Sequence, residues 1–132
     1  MGDLIILIDT NVLYHSDEYG IRIQDDVTKL IEKKSTIYVH SMVQSEILRD
    51  LTKNDKRARY AKFAMELINN FEQYEDDRIY DGTDVAILKT AKRVKGIVFT
   101  YDKKLKDRCK KINVPVITNF RKGKLQLLGH VW

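Results

Sequence analysis

Cysteine, proline and long apolar runs are nearly absent from these 132 residues, and each shortage excludes something. With one cysteine, Cys109, the chain can build neither an internal disulfide nor a multi-cysteine metal site. One Pro and six Gly leave few places for long linkers or low-complexity tails. The longest aliphatic run, Leu4 to Ile8, falls far short of the roughly twenty residues that span a bilayer. Flanked by Asp3 and Asp9, it also lacks the basic start of a secretory signal. These shortages predict a compact, soluble, cytoplasmic protein with no membrane partner. The length predicts one domain over residues 1–132.

What the chain does have is charge. Charged residues make up 33% and hydrophobic residues 43%, with a net +5. That sum hides a division. Residues 1–88 hold 11 Lys/Arg and 17 Asp/Glu, for −6, and residues 89–132 hold 13 and 2, for +11. An acidic body beside a basic C-terminal third suggests a surface that grips a polyanion next to a cluster of carboxylates. Solvated helix faces of a Lys-rich protein would give the same count.

Leu4 to Ile8 reads as a strand covered on both faces. Asp17 to Lys34 follows as a helix, apolar at Ile23, Val27, Leu30 and Ile31. Thr36 to Val39 is a β-branched and aromatic strand. Val43, Ile47, Leu48 and Leu51 mark one face of a short helix. Asn54 is placed to cap the next, which buries Ala61, Met65, Ile68 and Phe71. Glu72 to Arg78 reads as an exposed acidic connection. Thr83 is placed to cap a helix over 84–94, which Gly96 ends as the left-handed residue. Ile97 to Thr100 is a third strand and Lys103 to Lys111 a helix. On that helix Leu105, Cys109 and Ile112 share a face, so Cys109 reads as core and not as a nucleophile. Val114 to Ile117 is a further strand, placed by Pro115 at an edge or at its own start. The tail from 120 to 132 adds at most one short strand. Strands alternating with helices predict an α/β three-layer sandwich around a parallel sheet.

Ligands bind such sheets at the carboxyl ends of the strands. Asp9 directly follows the first strand, and Asp102 comes two residues after the third. Glu46 sits in the first turns of the helix entered from the second strand. Asp84 opens the helix before the third and can join them. Two carboxylates about 4 Å apart repel by roughly 4 kcal/mol at an effective dielectric near 20. A cluster of them therefore points to a divalent cation, and hard oxygen donors suit Mg²⁺ or Mn²⁺. Such an ion can orient a phosphodiester and activate water. Each acid also has a structural alternative. Asp84 can favour a helix N-terminus, Asp102 can cap the helix at Lys103, and Glu46 can pair with Arg49 or Lys53. Asp9 is the hardest to explain that way.

Four segments, in this order and spacing, resemble a PIN-domain nuclease: Ile8 to Leu13, Ser45 to Leu48, Thr83 to Leu88 and Thr100 to Leu105. Ile112 to Ile117 is similar to the family's last helix-to-strand turn. The resemblance implies a flavodoxin-like sheet and a metal-dependent single-strand endoribonuclease using Mg²⁺ or Mn²⁺. It places the acidic site, catalytic and metal-binding, on Asp9, Glu46, Asp84 and Asp102. Thr10, Asn11 and Thr100 match supporting polar positions, and Asp81 is an extra acid beside them. Bare chains of this length look most like VapC-type toxins, which pair with an antitoxin and usually form homodimers. Stand-alone PIN proteins of ribosomal RNA processing are similar.

For RNA binding, Lys89, Lys92, Arg93, Lys103 and Lys104 lie on helices flanking the site and suit phosphate contacts. Tyr14 and Tyr101 adjoin the acidic motifs and could stack on bases, although packing is their default role. His15, His40 and His130 stay outside the proposed chemistry. A haloacid-dehalogenase-like phosphatase would want a second aspartate where Asn11 stands. A non-catalytic RNA-binding assembly factor has no reason to maintain four mutually repelling acids.

Overall fold

A computed structural model describes residues 2–131. Its centre is β1, Leu4–Ile8, whose Ile6, Leu7 and Ile8 are fully buried. Hydrophobic residues on both faces of a strand require cover on both sides, which a parallel sheet with flanking helices provides. β2 is Ser35–His40, β3 Glu72–Tyr74, β4 Ile97–Phe99, β5 Val116–Arg121 and β6 Lys124–Leu128. They form one sheet in the order β3-β2-β1-β4-β5-β6. The first five are parallel, and β6 returns antiparallel to β5. The helices that flank this sheet are α1 (Thr10–His15), α2 (Ile23–Leu30), α3 (Ser41–Asp50), α4 (Lys56–Leu67), α5 (Thr83–Val94) and α6 (Lys103–Lys111). This is the α/β layered architecture expected from the alternation of strands and helices, with an antiparallel edge strand added from the tail.

Several local expectations are corrected. The helix expected over 17–34 is shorter, because residues 16–20 turn and Gly20 takes φ 69°. The stretch from Glu72 is not a bare connection: β3 pairs with β2 there, since short polar segments can serve as edge strands. Asp55, not Asn54, caps α4, accepting from the amide of Arg57 at 2.9 Å. Gly82 precedes α5 where Thr83 was expected as its cap. Leu48 and Leu51, expected in the core, are 54% and 37% exposed.

The end of α5 is instructive. Lys95, not Gly96, takes the left-handed conformation, with φ 55°. Gly96 is needed for another reason: a Cβ there would come within 2.7 Å of the Ile5 carbonyl oxygen. Pro115 lies just before β5, and β6 covers what would otherwise be that strand's open edge. Cys109 is fully buried, and burial pushes its thiol up to about 12, so it is an inert core residue.

Candidate active site

Asp9 ends β1 and caps α1, its Oδ1 accepting from the amide of Thr10 at 2.8 Å. The same cap turns the next side chain, Thr10, toward α3, where its hydroxyl donates to Glu46 Oε1 at 2.7 Å. On the other side Thr100, directly after β4, donates its hydroxyl to Asp9 Oδ2 at 2.7 Å. Thr100 Oγ1 accepts in turn from the amide of Asp102 at 3.1 Å and from Asn11 Nδ2 at 3.4 Å. Asn11 Oδ1 accepts from the amide of Tyr101 at 3.2 Å. Two threonines and an asparagine thus link the Asp9 and Glu46 carboxylates to each other and to the Asp102 backbone, across α3 and the ends of β1 and β4.

The chain reaches this order because tight caps follow each strand. Asp102 Oδ2 accepts from the Leu105 amide at 3.2 Å and so starts α6. His40 starts α3 at the end of β2, its Nδ1 accepting from the Met42 amide at 3.0 Å. Asp84 lies in the first turn of α5, behind Gly82 with φ 103°. Structural and chemical readings of Asp102 are therefore compatible, since capping leaves its remaining lone pairs free.

These residues line a cleft of about 500 Å³. Asp9, Glu46, Asp84 and Asp102 share its wall with Thr10, Asn11 and Asp81. Tyr14, His15 and Arg108 complete it. Burial pushes the Asp9 carboxyl up to about 7; the Thr100 and Thr10 bonds oppose this, and the Asp84 and Glu46 charges add to it. The Asp84 carboxyl is also raised, by burial and then by Asp102, against partial relief from Arg108 and Lys104. Burial is the main cause for both acids, and the neighbouring carboxylates add to it.

The donor chemistry fits a hard divalent cation. It is all oxygen, and among the described residues no cation pairs with the buried Asp9 to hold it ionised. Among the described residues, no three acidic, histidine or cysteine side chains stand close enough to enclose an ion by themselves. The four acids expected to hold a metal therefore share one cleft without forming a three-ligand cluster in this structure.

The expected basic residues are distributed unevenly. Lys104 is near enough to Asp84 to lower its carboxyl. Lys92 and Arg93 lie near the far end of α5, about 12 Å along the helix from Asp84. Lys92 Nζ donates to the Ile112 carbonyl at 2.7 Å, and Arg93 Nη2 to Asp76 Oδ2 at 3.3 Å. Lys89 is exposed on α5, and Lys103 pairs with Asp107 at 3.3 Å. Arg108, not among the residues expected to meet RNA, contributes a cation to the cleft wall. Its spacing of four from Lys104, beside the buried Leu105 and Cys109, was the available signal.

Neither tyrosine stands free. Tyr14 donates to Asp50 Oδ2 at 2.7 Å and stacks on Tyr60 at 5.8 Å. Tyr101 shares a 2.7 Å bond with Ser16 and packs edge-on to Tyr19 at 5.0 Å. His40 is buried: with Nδ1 accepting from Met42, Nε2 carries the proton and donates to Asp76 Oδ2 at 3.2 Å. Asp76 also accepts from Tyr80 Oη at 2.6 Å and from the Arg78 amide at 3.0 Å. Its side chain is 1% exposed although the sequence around it reads as surface. This hub fixes the segment that leads from β3 to Asp81 and α5.

Among the described residues no helix is long and apolar enough to cross a membrane. Residues 6–122 match the family model described as a PIN like domain. Ribonuclease VapC4 of Methanocaldococcus jannaschii is 28% identical over 130 residues, 96% of this chain and 98% of that protein. The PIN domain endonuclease Utp24 superposes with a TM-score of 0.80 at 21% identity, covering 96% of this chain and 92% of the other. VapBC2 from Rickettsia felis, solved on a DNA fragment from its promoter, gives a TM-score of 0.60 at 16% identity, covering 80% and 92%.

Proposed function

The chain belongs to the PIN-domain nuclease family, and from that membership we propose that it is a metal-dependent endoribonuclease that hydrolyses phosphodiester bonds of single-stranded RNA. The observation that carries the reading is the bonded series Glu46–Thr10–Asp9–Thr100–Asp102, which holds acids from three strand ends in one cleft beside Asp84. A series of this kind leaves repelling carboxylates together at a strand-end crevice, where ligands of open α/β sheets bind. Capping accounts for the positions of Asp9 and Asp102 but not for the presence of Glu46 and Asp84 in the same cleft.

In this mechanism Asp9, Glu46, Asp84 and Asp102 would supply the oxygen donors for Mg²⁺ or Mn²⁺. Such an ion, when bound, supplies polarisation of the phosphodiester and a lowered pKa for the attacking water. Thr100 and Thr10 fix the orientation of Asp9 and Glu46, so those carboxylates need no reorganisation when substrate arrives. Asn11 ties the Tyr101 amide to the same frame. Arg108, with Lys104 behind it, offsets the acidic wall and gives an incoming phosphate a cation to meet.

The test incubates the protein with unstructured RNA in Mn²⁺, with and without EDTA, beside Asp9→Asn. Cleavage that stops in both controls supports the reading; cleavage that survives both belongs to a contaminant and removes it. A toxin held by an antitoxin and a ribosomal RNA processing nuclease are both compatible with likeness to a VapC ribonuclease and to the Utp24 fold. Growth arrest on expression, relieved by Asp9→Asn, separates the two.

A further inference from the structure

The β5–β6 hairpin is left without a role by the cleft chemistry, and its composition is unusual. Residues 119–124 read Asn-Phe-Arg-Lys-Gly-Lys, three cations and an aromatic with no acid. Because β5 runs parallel to β1 and β4, its carboxyl end leaves the sheet on the same side as Asp9 and Asp102. Ile117 pairs with Phe99, level with Ile8, so Thr118 is level with Asp9 and Arg121 lies roughly 10 Å beyond it along the strand. The displacement sideways is two strands, about 10 Å.

The tip is built to stay in place. Gly123, at φ 75°, donates its amide to the Tyr19 carbonyl at 2.8 Å. Tyr19 itself packs against Tyr101, the residue before Asp102. One backbone bond and one tyrosine pair therefore connect the hairpin tip to the residue before Asp102. Beside the tip, a notch of about 380 Å³ is lined by Arg22, Lys29 and Lys124, with Asp26 accepting from the Arg22 amide. Phe120 is 61% exposed, and the Arg121 guanidinium lies 5.6 Å over its ring.

We propose that this hairpin is a second grip on single-stranded RNA, with Phe120 stacking on an unpaired base and Arg121, Lys122 and Lys124 contacting phosphates. The proposal rests on the nuclease reading for its substrate class and extends it to where the strand runs after leaving the cleft. An exposed ring flanked by cations is what sequence-tolerant binding of unpaired nucleotides uses. A protein partner would gain nothing from three hairpin cations, with Asp26 the acid in the adjoining notch, unless it were itself acidic. RNA is the polyanion already placed at the adjoining cleft.

The experiment measures binding of a fluorescein-labelled unstructured RNA of about 12 nucleotides in EDTA, where no cleavage is expected. Phe120→Leu, which keeps apolar bulk and loses the ring, should weaken affinity about tenfold, and Phe120→Trp should restore it. Replacing Arg121, Lys122 and Lys124 together by Ala should make the dependence of log affinity on log salt shallower by about 2. Equal affinity and equal salt slope for all variants and the parent would overturn the proposal. So would unchanged RNA affinity alongside loss of a bound protein or of self-association, which would make the hairpin a protein contact. Cleavage by the parent in Mn²⁺ is read separately. Its absence would remove the nuclease reading while the affinity series still decides the hairpin's role.

Discussion

Thr100 Oγ1 donates to Asp9 Oδ2 at 2.7 Å while accepting the Asp102 amide at 3.1 Å. One hydroxyl therefore sets the geometry of two acids that are 93 positions apart in sequence. It also works against burial, since its bond to the ionised form lowers the Asp9 carboxyl that burial raises. Position and charge state in this site are controlled by the same atom.

Thr100→Val keeps the β-branched shape and removes that atom. The expected cost is about 1 to 2 kcal/mol of stability, because the Asp9 oxygen and the Asp102 amide both lose a buried partner. Cleavage should fall about tenfold or more. Urea unfolding and initial rates in Mn²⁺ measure the two effects. An unchanged rate would mean that Thr100 serves packing alone.

Much of this was legible beforehand because the signals were local. Leu4 to Ile8 could only be a covered strand, and Asp9, Glu46, Asp84 and Asp102 stood at points where a parallel sheet exposes its strand ends. Thr10, Asn11 and Thr100 shared those motifs. The features that were not legible depend on tertiary contact. Asp76 sits in an acidic stretch that reads as surface, and only the arrival of His40, Tyr80 and Arg93 from other elements makes it a buried centre. Gly96 looked like a helix terminator, yet its constraint comes from the Ile5 carbonyl across the sheet. Arg93 pointed to RNA by charge and is drawn instead to Asp76.

Asp76→Ala should destabilise the protein by about 3 kcal/mol, since it strips His40, Tyr80 and the Arg78 amide of a shared buried partner. Burial alone would raise the Asp76 carboxyl, but bonds from Tyr80, the Arg78 amide and His40 outweigh it and hold it far below the ordinary value. A depressed folded value means that the stabilisation is present above the ordinary carboxylate pKa near 4 and is lost as pH falls toward the folded one. The parent should therefore lose stability on acidification below pH 4 more steeply than the variant. Superimposable acid unfolding curves would contradict the role of this hub.

Two glycines predict different damage. Gly96→Ala drives a Cβ to 2.7 Å from the Ile5 carbonyl oxygen, where β1 and α5 cannot easily part, and should cost about 1 to 3 kcal/mol. Gly82→Ala meets no atom within 4 Å, but φ 103° and ψ 165° form a region closed to other residues. Its strain falls on the turn that presents Asp84, so activity should drop more, relative to stability, than in Gly96→Ala. Thermal unfolding and cleavage rates compared across the pair decide this.

Arg108→Ala removes the cation lining the acidic cleft. KM for RNA should rise several-fold, and the dependence of log affinity on log salt should become shallower by about 0.7, the loss of one phosphate contact to a single strand. Because Arg108 lowers the Asp84 carboxyl, its removal should also move that group further up. A KM unchanged at every salt concentration would take Arg108 out of substrate binding.

Asp9→Asn should separate stability from activity. In EDTA the folded Asp9 carboxyl sits at about 7, raised chiefly by burial, while the unfolded chain ionises near 4. A raised folded value means that the group's contribution is intact below pH 4 and is lost progressively as pH climbs through 7. Above that, the folded state must hold a buried charge, at a cost of up to about 4 kcal/mol. Asparagine avoids the charge: Oδ1 still accepts from the Thr10 amide, and Nδ2 takes the Thr100 Oγ1 lone pair that now accepts the long 3.4 Å bond from Asn11. The variant should melt above the parent at pH 8 in EDTA and lose that advantage near pH 5. Adding Mn²⁺ at pH 8 should raise the parent's melting temperature and leave the variant's nearly unmoved, because only a state that binds the ion is stabilised by it. Parallel melting curves across this pH range would remove Asp9 as the buried charge around which the site is organised.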